Sequence, residues 1–192
     1  MGLTFPPAHV LVFLALAQAQ TARPVPPATP LTEIPTRLEA LLVSPSIVVV
    51  ADYYPIDMRF GPGLALDAVV VTDADKQARQ RGLRIQISED GRPNGRTEAS
   101  FMDFEDVVRL SRALQTMTDL ALKYSGQDSQ RATDLSFATP GGFRVAIHET
   151  GRVVRVIVST GLLEPVGISL SVPDLLTLKQ AVDSAIAILN VK

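Results

Sequence analysis

Two stretches of the chain place apolar residues three and four positions apart behind a residue that caps helices. The stretch "DFEDVVRL" begins at Asp103 and "SVPDLLTL" at Ser171, and each carries an acid three positions later. Such residues stabilise a helix N-terminus because they face its free amides and its dipole. The pattern predicts two amphipathic helices, each with one buried stripe. The stripes are Val107, Leu110, Leu114, Met117 and Ala121, and Leu175, Leu178, Val182, Ile186 and Leu189.

Ahead of the second helix, apolar and polar residues alternate, which is the pattern of half-buried strands. One face carries Phe143, Val145, Ile147, Val154, Val156 and Val158, and the other carries Arg144, Ala146, His148, Arg155 and Ile157. Thr150 and Gly151 lie between the two runs, where they predict the short turn of a hairpin. The stretches "LSF" and "GISLSV" supply one further strand on each side. This segment therefore predicts four strands followed by a helix.

The same order of patterns occurs earlier in the chain, which indicates an internal duplication. The stretch "GLRIQIS" (82–88) matches "VVRVIVS" (153–159), and "DMRFGPGLALDAVVV" (57–71) matches "DLSFATPGGFRVAIH" (134–148). The copies differ in length only at turn-rich segments, where insertions are tolerated. We therefore predict repeats at 57–122 and 134–190 within a single domain that spans 32–192.

The predicted fold class is α+β, with two tandem ββββα units in a pseudo-twofold arrangement. Each antiparallel sheet needs a cover for its apolar face, and we expect one helix to cover each sheet. Ahead of the first unit, "SIVVVADYY" predicts an additional strand. The stretch "IPTRLEALLV" predicts a short helix with Ile34, Leu38 and Leu41 on one side.

This order of elements over residues 57–190 resembles the Whirly and Pur-alpha single-stranded nucleic-acid binders. The resemblance is one of topology, and it implies nucleic-acid binding as an alternative function. The succession of "DYY", "GLRIQIS" and "FMDFEDVVRL" also resembles secreted bacterial proteins of unassigned function. That second resemblance carries no site residue.

The first residues of the chain predict export. An apolar run at 10–17 is followed by Ala17, Gln18 and Ala19, an A-x-A cleavage pattern, and the run is too short to span a bilayer. We therefore predict a signal peptide at 1–19, a proline-rich spacer at 20–31 and a secreted or periplasmic protein. An apolar N-terminal segment that is buried or mobile is the alternative. The chain has no cysteine, so neither a disulfide nor a lipid-anchored cysteine is expected.

Composition argues against two classes of function. The net charge of −2 and the aromatic content of 5% disfavour nucleic-acid binding, which draws on basic surfaces and stacking rings. The chain also lacks a cysteine nucleophile, an H-E-x-x-H motif, a phosphate-binding glycine loop and a G-x-S-x-G elbow. His148 is the only histidine after the predicted signal peptide. We therefore expect a protein that is not an enzyme, with no catalytic residues, no metal and no cofactor.

The remaining candidate site is the sheet face opposite the helices, where Arg84, Arg144, His148 and Arg155 are predicted to lie. One interpretation is an anion-binding patch built across the duplication, and the other is solvated arginines, some paired with Asp67. Val69, Val71 and Ile157 point to the same face, so sheet–sheet packing or a homodimer is also open. The leading function is an exported binding or structural protein for a small ligand, an envelope component or a partner protein. Single-stranded nucleic-acid binding is the alternative.

Overall fold

The computed structural model describes residues 36–57, 63–76, 78–89, 95–124, 132–151 and 153–192. The chain divides into two units, and every described residue belongs to the second, Glu33–Lys192. The predicted signal peptide and spacer lie outside the described residues. The elements are α1 (Arg37–Leu42), β1 (Val49–Ile56), β2 (Leu64–Asp73), β3 (Arg79–Ser88), β4 (Thr97–Asp103), α2 (Phe104–Tyr124), β5 (Ala132–Ala138), β6 (Arg144–Thr150), β7 (Val153–Thr160), β8 (Val166–Leu170) and α3 (Val172–Val191).

The strands form two antiparallel four-stranded sheets, and a helix follows each of them. Sheet A has the order β1-β2-β3-β4 and sheet B the order β5-β6-β7-β8, which confirms the predicted ββββα units. The strand expected ahead of the first unit is β1, which pairs with β2 along its whole length and so completes sheet A. The stretch after Asp57 that was expected to supply the first strand lies largely at 58–62, outside the described residues.

One apolar core lies between the sheets and the helix pair. Both predicted helix stripes are buried in it, apart from Ile186, which is half-buried. The core also contains the inward residues of all the predicted alternating strands, such as Leu83, Ile85, Val145 and Val156. Helical spacing of three and four and strand spacing of two therefore placed the core residues correctly.

The helices do not cover the sheets one by one as expected. The helix α2 contacts β3 and β4 of sheet A and also β5 and β6 of sheet B. The helix α3 contacts β1, β2 and β3 of sheet A and β7 of sheet B. Because α2 and α3 also pack against each other, they form one layer that is shared by both sheets. Among the described residues, no helix is long and apolar enough to cross a membrane.

A polar contact joins the two long helices near their middles. The Asp183 carboxylate accepts a hydrogen bond of 2.5 Å from the Ser111 hydroxyl of α2 and one of 2.6 Å from Lys179 of its own helix. Partial burial opposes the ionisation of Asp183, but these two bonds and the charge of Lys179 outweigh it and lower the pKa of Asp183. The ionised carboxylate therefore links the first repeat to the second.

The short helix α1 covers part of the outer face of sheet A. Leu38 of α1 packs on Val69 and Val71, and all three side chains are buried. Gly82 leaves room for this contact, since a Cβ at that position would lie 2.7 Å from Leu38 Cδ1. The outward position of Val69 and Val71 on β2 had suggested a sheet–sheet contact or a homodimer. In the structure, α1 of the same chain covers them.

Asp103 holds α1 on the sheet. Its carboxylate accepts hydrogen bonds from the amides of Arg37 (3.0 Å) and Leu38 (3.1 Å) and from Arg37 Nε (3.2 Å). The hydrogen bond to Asp103, followed by the charges of Asp103 and Glu105, raises the pKa of Arg37. Asp103 directly precedes α2, where the sequence predicts a cap, but its carboxylate hydrogen-bonds to the first turn of α1.

We expect Asp103→Asn to release α1 from sheet A and to cost about 1.5–3 kcal/mol of unfolding free energy, the usual range for hydrogen bonds to a charged group. The amide replaces one acceptor oxygen with a donor that faces the α1 amides. Denaturant midpoints measure the loss, and hydrogen exchange at the Leu38 amide reports the release. Asp119→Asn on the exposed side of α2 is the control and should stay within about 0.5 kcal/mol. Equal effects of the two substitutions would show that Asp103 does not anchor α1.

Candidate anion-binding face

The outward side of sheet B is uncovered. Its side chains alternate with those that enter the core, because neighbouring residues of a strand point to opposite faces. The described part of the chain places α1 on sheet A and no comparable helix on this side of sheet B. We call this surface the open face; its exposed side chains are those of Ala132, Asp134, Ser136, Ala138, Arg144, His148, Thr150, Val153, Arg155, Ile157 and Ser169.

Asp134, His148 and Arg155 form one row across the open face. They are Cα partners on β5, β6 and β7, so neighbouring Cβ atoms lie about 4.5–5.5 Å apart. His148 Nδ1 lies 2.7 Å from Asp134 Oδ1 and shares a hydrogen bond with it. Asp134 therefore orients the imidazole and leaves Nε2 free to face solvent or a ligand. Sequence reasoning did not include Asp134 among the site residues, because cross-strand register is needed to find this contact.

Arg144 lies at the other end of the same strand as His148. They are four positions apart, which corresponds to about 13 Å along the strand. The cross-strand neighbours of Arg144 are Ala138 and Ser159, which carry no charge. Within the described residues, neither Arg144 nor Arg155 forms an ion pair, and both are exposed. Two guanidinium groups of the open face are therefore available to an external anion.

Arg84, the fourth predicted site residue, is not part of the open face. It lies on β3 of sheet A and donates from Nε (3.0 Å) and Nη2 (2.8 Å) to Asp67 Oδ2. Its guanidinium also stacks 4.4 Å above the centre of the Tyr53 ring. Arg84 thus has the Asp67 partner that was the alternative to an anion-binding patch. The reason is register, since Arg84 is the Cα partner of Asp67, whereas Arg155 is the partner of His148.

The chemistry of the open face is that of a weakly basic, hydrogen-bonding surface. It carries two arginines against one aspartate, and the described residues on it include no aromatic ring. No serine or threonine hydroxyl in the described part of the chain hydrogen-bonds to His148. No group of three or more potential metal ligands occurs among the described residues.

Comparisons with known proteins leave the chain without a match, since no family model, no curated protein and no solved structure matches it. The molecule belongs to the α+β class and contains two four-stranded antiparallel sheets, each followed by a helix.

Proposed function

We propose that this protein is an exported, non-catalytic binding module whose open face takes a carboxylate-bearing ligand. The observation that carries the proposal is the pair of exposed arginines, Arg144 and Arg155, that have no carboxylate partner within the described residues. A guanidinium group matches a carboxylate with two parallel N–H donors, and such charge-assisted bonds are among the stronger polar contacts. Export rests on the sequence of residues 1–19 alone.

Charge and surface chemistry favour a compact acidic ligand over a nucleic acid. A phosphate polymer is held mainly by many cationic contacts, whereas the open face carries two arginines and Asp134, and the whole chain has a net charge of −2. Single-strand binders also stack bases on exposed rings, and the described residues of the open face include none. His148, held by Asp134, adds a directional hydrogen-bonding group beside Arg155.

The test uses a fluorescein-labelled hexaglutamate peptide as the probe and fluorescence anisotropy as the readout. We expect binding that weakens with salt and that falls about tenfold to a hundredfold in the Arg144→Ala/Arg155→Ala double variant. The matched control is Arg79→Ala/Arg112→Ala, which removes the same charge from exposed positions outside sheet B and should leave binding within about twofold.

A labelled oligothymidine of about 20 nucleotides, longer than the roughly 4–16 nucleotides that one single-strand-binding domain contacts, is the second probe. Weak or absent binding of this oligonucleotide, measured by the same anisotropy assay, supports the proposal. If it binds more tightly than the peptide, single-stranded nucleic-acid binding is the better assignment. Equal losses in the site variant and the control variant would show that peptide binding follows net charge and not the open face.

A further inference from the structure

We propose that the edge strand β5 pairs antiparallel with β5 of a second copy of this chain, so that two sheets B join into one continuous sheet. An edge strand presents a row of main-chain N–H and C=O groups that another extended strand can satisfy. The inference concerns self-association without any ligand. It is therefore independent of the proposed function, and each can fail without the other.

The four sheet edges differ in how they are protected. Strand β1 carries Pro55, which lacks an N–H donor and commonly blocks an edge. Strands β4 and β8 lie towards the junction of the two sheets, where β4 contacts β7 and β8 contacts β3. Strand β5 pairs with β6 alone among the described strands. Its sequence, ATDLSFA, contains no proline or lysine, the residues that most often protect an edge, and Asp134 is its one charged residue.

The sequence of β5 is complementary to itself in one register. With the twofold axis at Leu135, all seven residues of β5 pair with residues of the second copy. Opposite side chains then lie on the same face of the joined sheet. Asp134 then lies opposite Ser136 of the second copy, and the two Leu135 side chains meet on the inner side. Leu135 is only half-buried in one copy, so this contact removes further apolar surface from water. A shift that centres the axis on Asp134 would set two carboxylates directly opposite each other, which is unfavourable.

This pairing would also double the open face. The row of Asp134, His148 and Arg155 runs across the sheet toward the β5 edge, so the joined sheet would carry two such rows, offset by two residues because Asp134 faces Ser136 of the second copy. Five strand spacings and this offset would separate the two Arg155 residues by about 25 Å. A ligand with two acidic groups at that distance could contact both copies.

The test is sedimentation velocity and light scattering of the full chain over a range of concentrations, without ligand. We expect a concentration-dependent mass that approaches twice the 20.6 kDa of the chain. Ser136→Glu should weaken dimerisation about tenfold, because it places an acid opposite Asp134 at two symmetric positions. Ser136→Lys is the matched control: it adds a charge at the same exposed position but faces Asp134 favourably, so it should dimerise at least as well as the native chain.

Circular dichroism and thermal midpoints of both variants check that the monomer fold is intact; Ser136 is exposed, so we expect little change. A native chain that remains monomeric at every concentration overturns the proposal. So does equal dimerisation of folded Ser136→Glu and Ser136→Lys variants, because the Leu135-centred register requires opposite responses to the two charges.

Discussion

Truncation of Leu114 to alanine is expected to cost about 2–5 kcal/mol of unfolding free energy. Leu114 lies at the centre of the α2 stripe, and its side chain is fully buried in the core that both sheets and both helices share. The alanine variant removes apolar contacts and leaves a cavity, and the surrounding side chains refill such a cavity only in part. Denaturant midpoints with unchanged slopes would measure the loss.

Two further variants test whether the assigned faces of α2 and α3 are the buried ones. Val182 holds the corresponding position on α3 and is also fully buried, so Val182→Ala should cost somewhat less, about 1–3 kcal/mol for its smaller side chain. Arg112 is exposed on α2 and serves as the control, with a change within about 0.5 kcal/mol. If Arg112→Ala destabilised the protein as much as the other two substitutions, the assigned buried stripe would be wrong.

Substitution of Gly141 by alanine is expected to cost about 3 kcal/mol, because the turn between β5 and β6 packs against β4 of the first repeat without space for a side chain. A Cβ at this position would lie 2.0 Å from the Phe101 carbonyl oxygen and 3.3 Å from Thr36 Cγ2. The obstacle is a main-chain atom of a paired strand, which no rotamer change can move. Relief requires the turn to move away from sheet A, and thermal or denaturant unfolding would report the loss.

Gly167→Ala on β8 is the matched control for this prediction. Its nearest neighbour would be the Val158 carbonyl oxygen at 3.2 Å, and alanine is tolerated in a strand about as well as glycine. We expect a change within about 1 kcal/mol. If Gly141→Ala were equally mild, the contact between the second repeat and β4 would contribute little to stability.

Other contacts between the repeats could not be found in the sequence. The Thr160 hydroxyl donates a hydrogen bond of 3.1 Å to the Glu98 carbonyl oxygen, and Arg96 forms an ion pair of 2.7 Å with Glu164. The residues of each pair lie more than sixty positions apart in the chain. Nothing in their local pattern distinguishes them from solvated polar residues, so only the packing of sheet A on sheet B reveals them.

The candidate site was predictable in part. Strand alternation alone put Arg144, His148 and Arg155 on one face, because successive side chains of a strand point to opposite sides. The partner of each residue depends on register, which alternation leaves open. Register pairs Asp134 with His148 and Asp67 with Arg84, so these carboxylate partners were found only in the structure.

The sequence by itself determined the helices, the strands, the repeated order of elements and the buried stripes, since each follows from local periodicity and capping. Tertiary structure decided which surfaces remain open. The α1 helix covers Val69 and Val71 because Asp103 binds its first amides, whereas the described residues leave the corresponding face of sheet B exposed. Tertiary structure also decided that α2 and α3 are shared by both sheets. These outcomes depend on contacts between residues far apart in the chain, and such contacts leave no periodic pattern in the sequence.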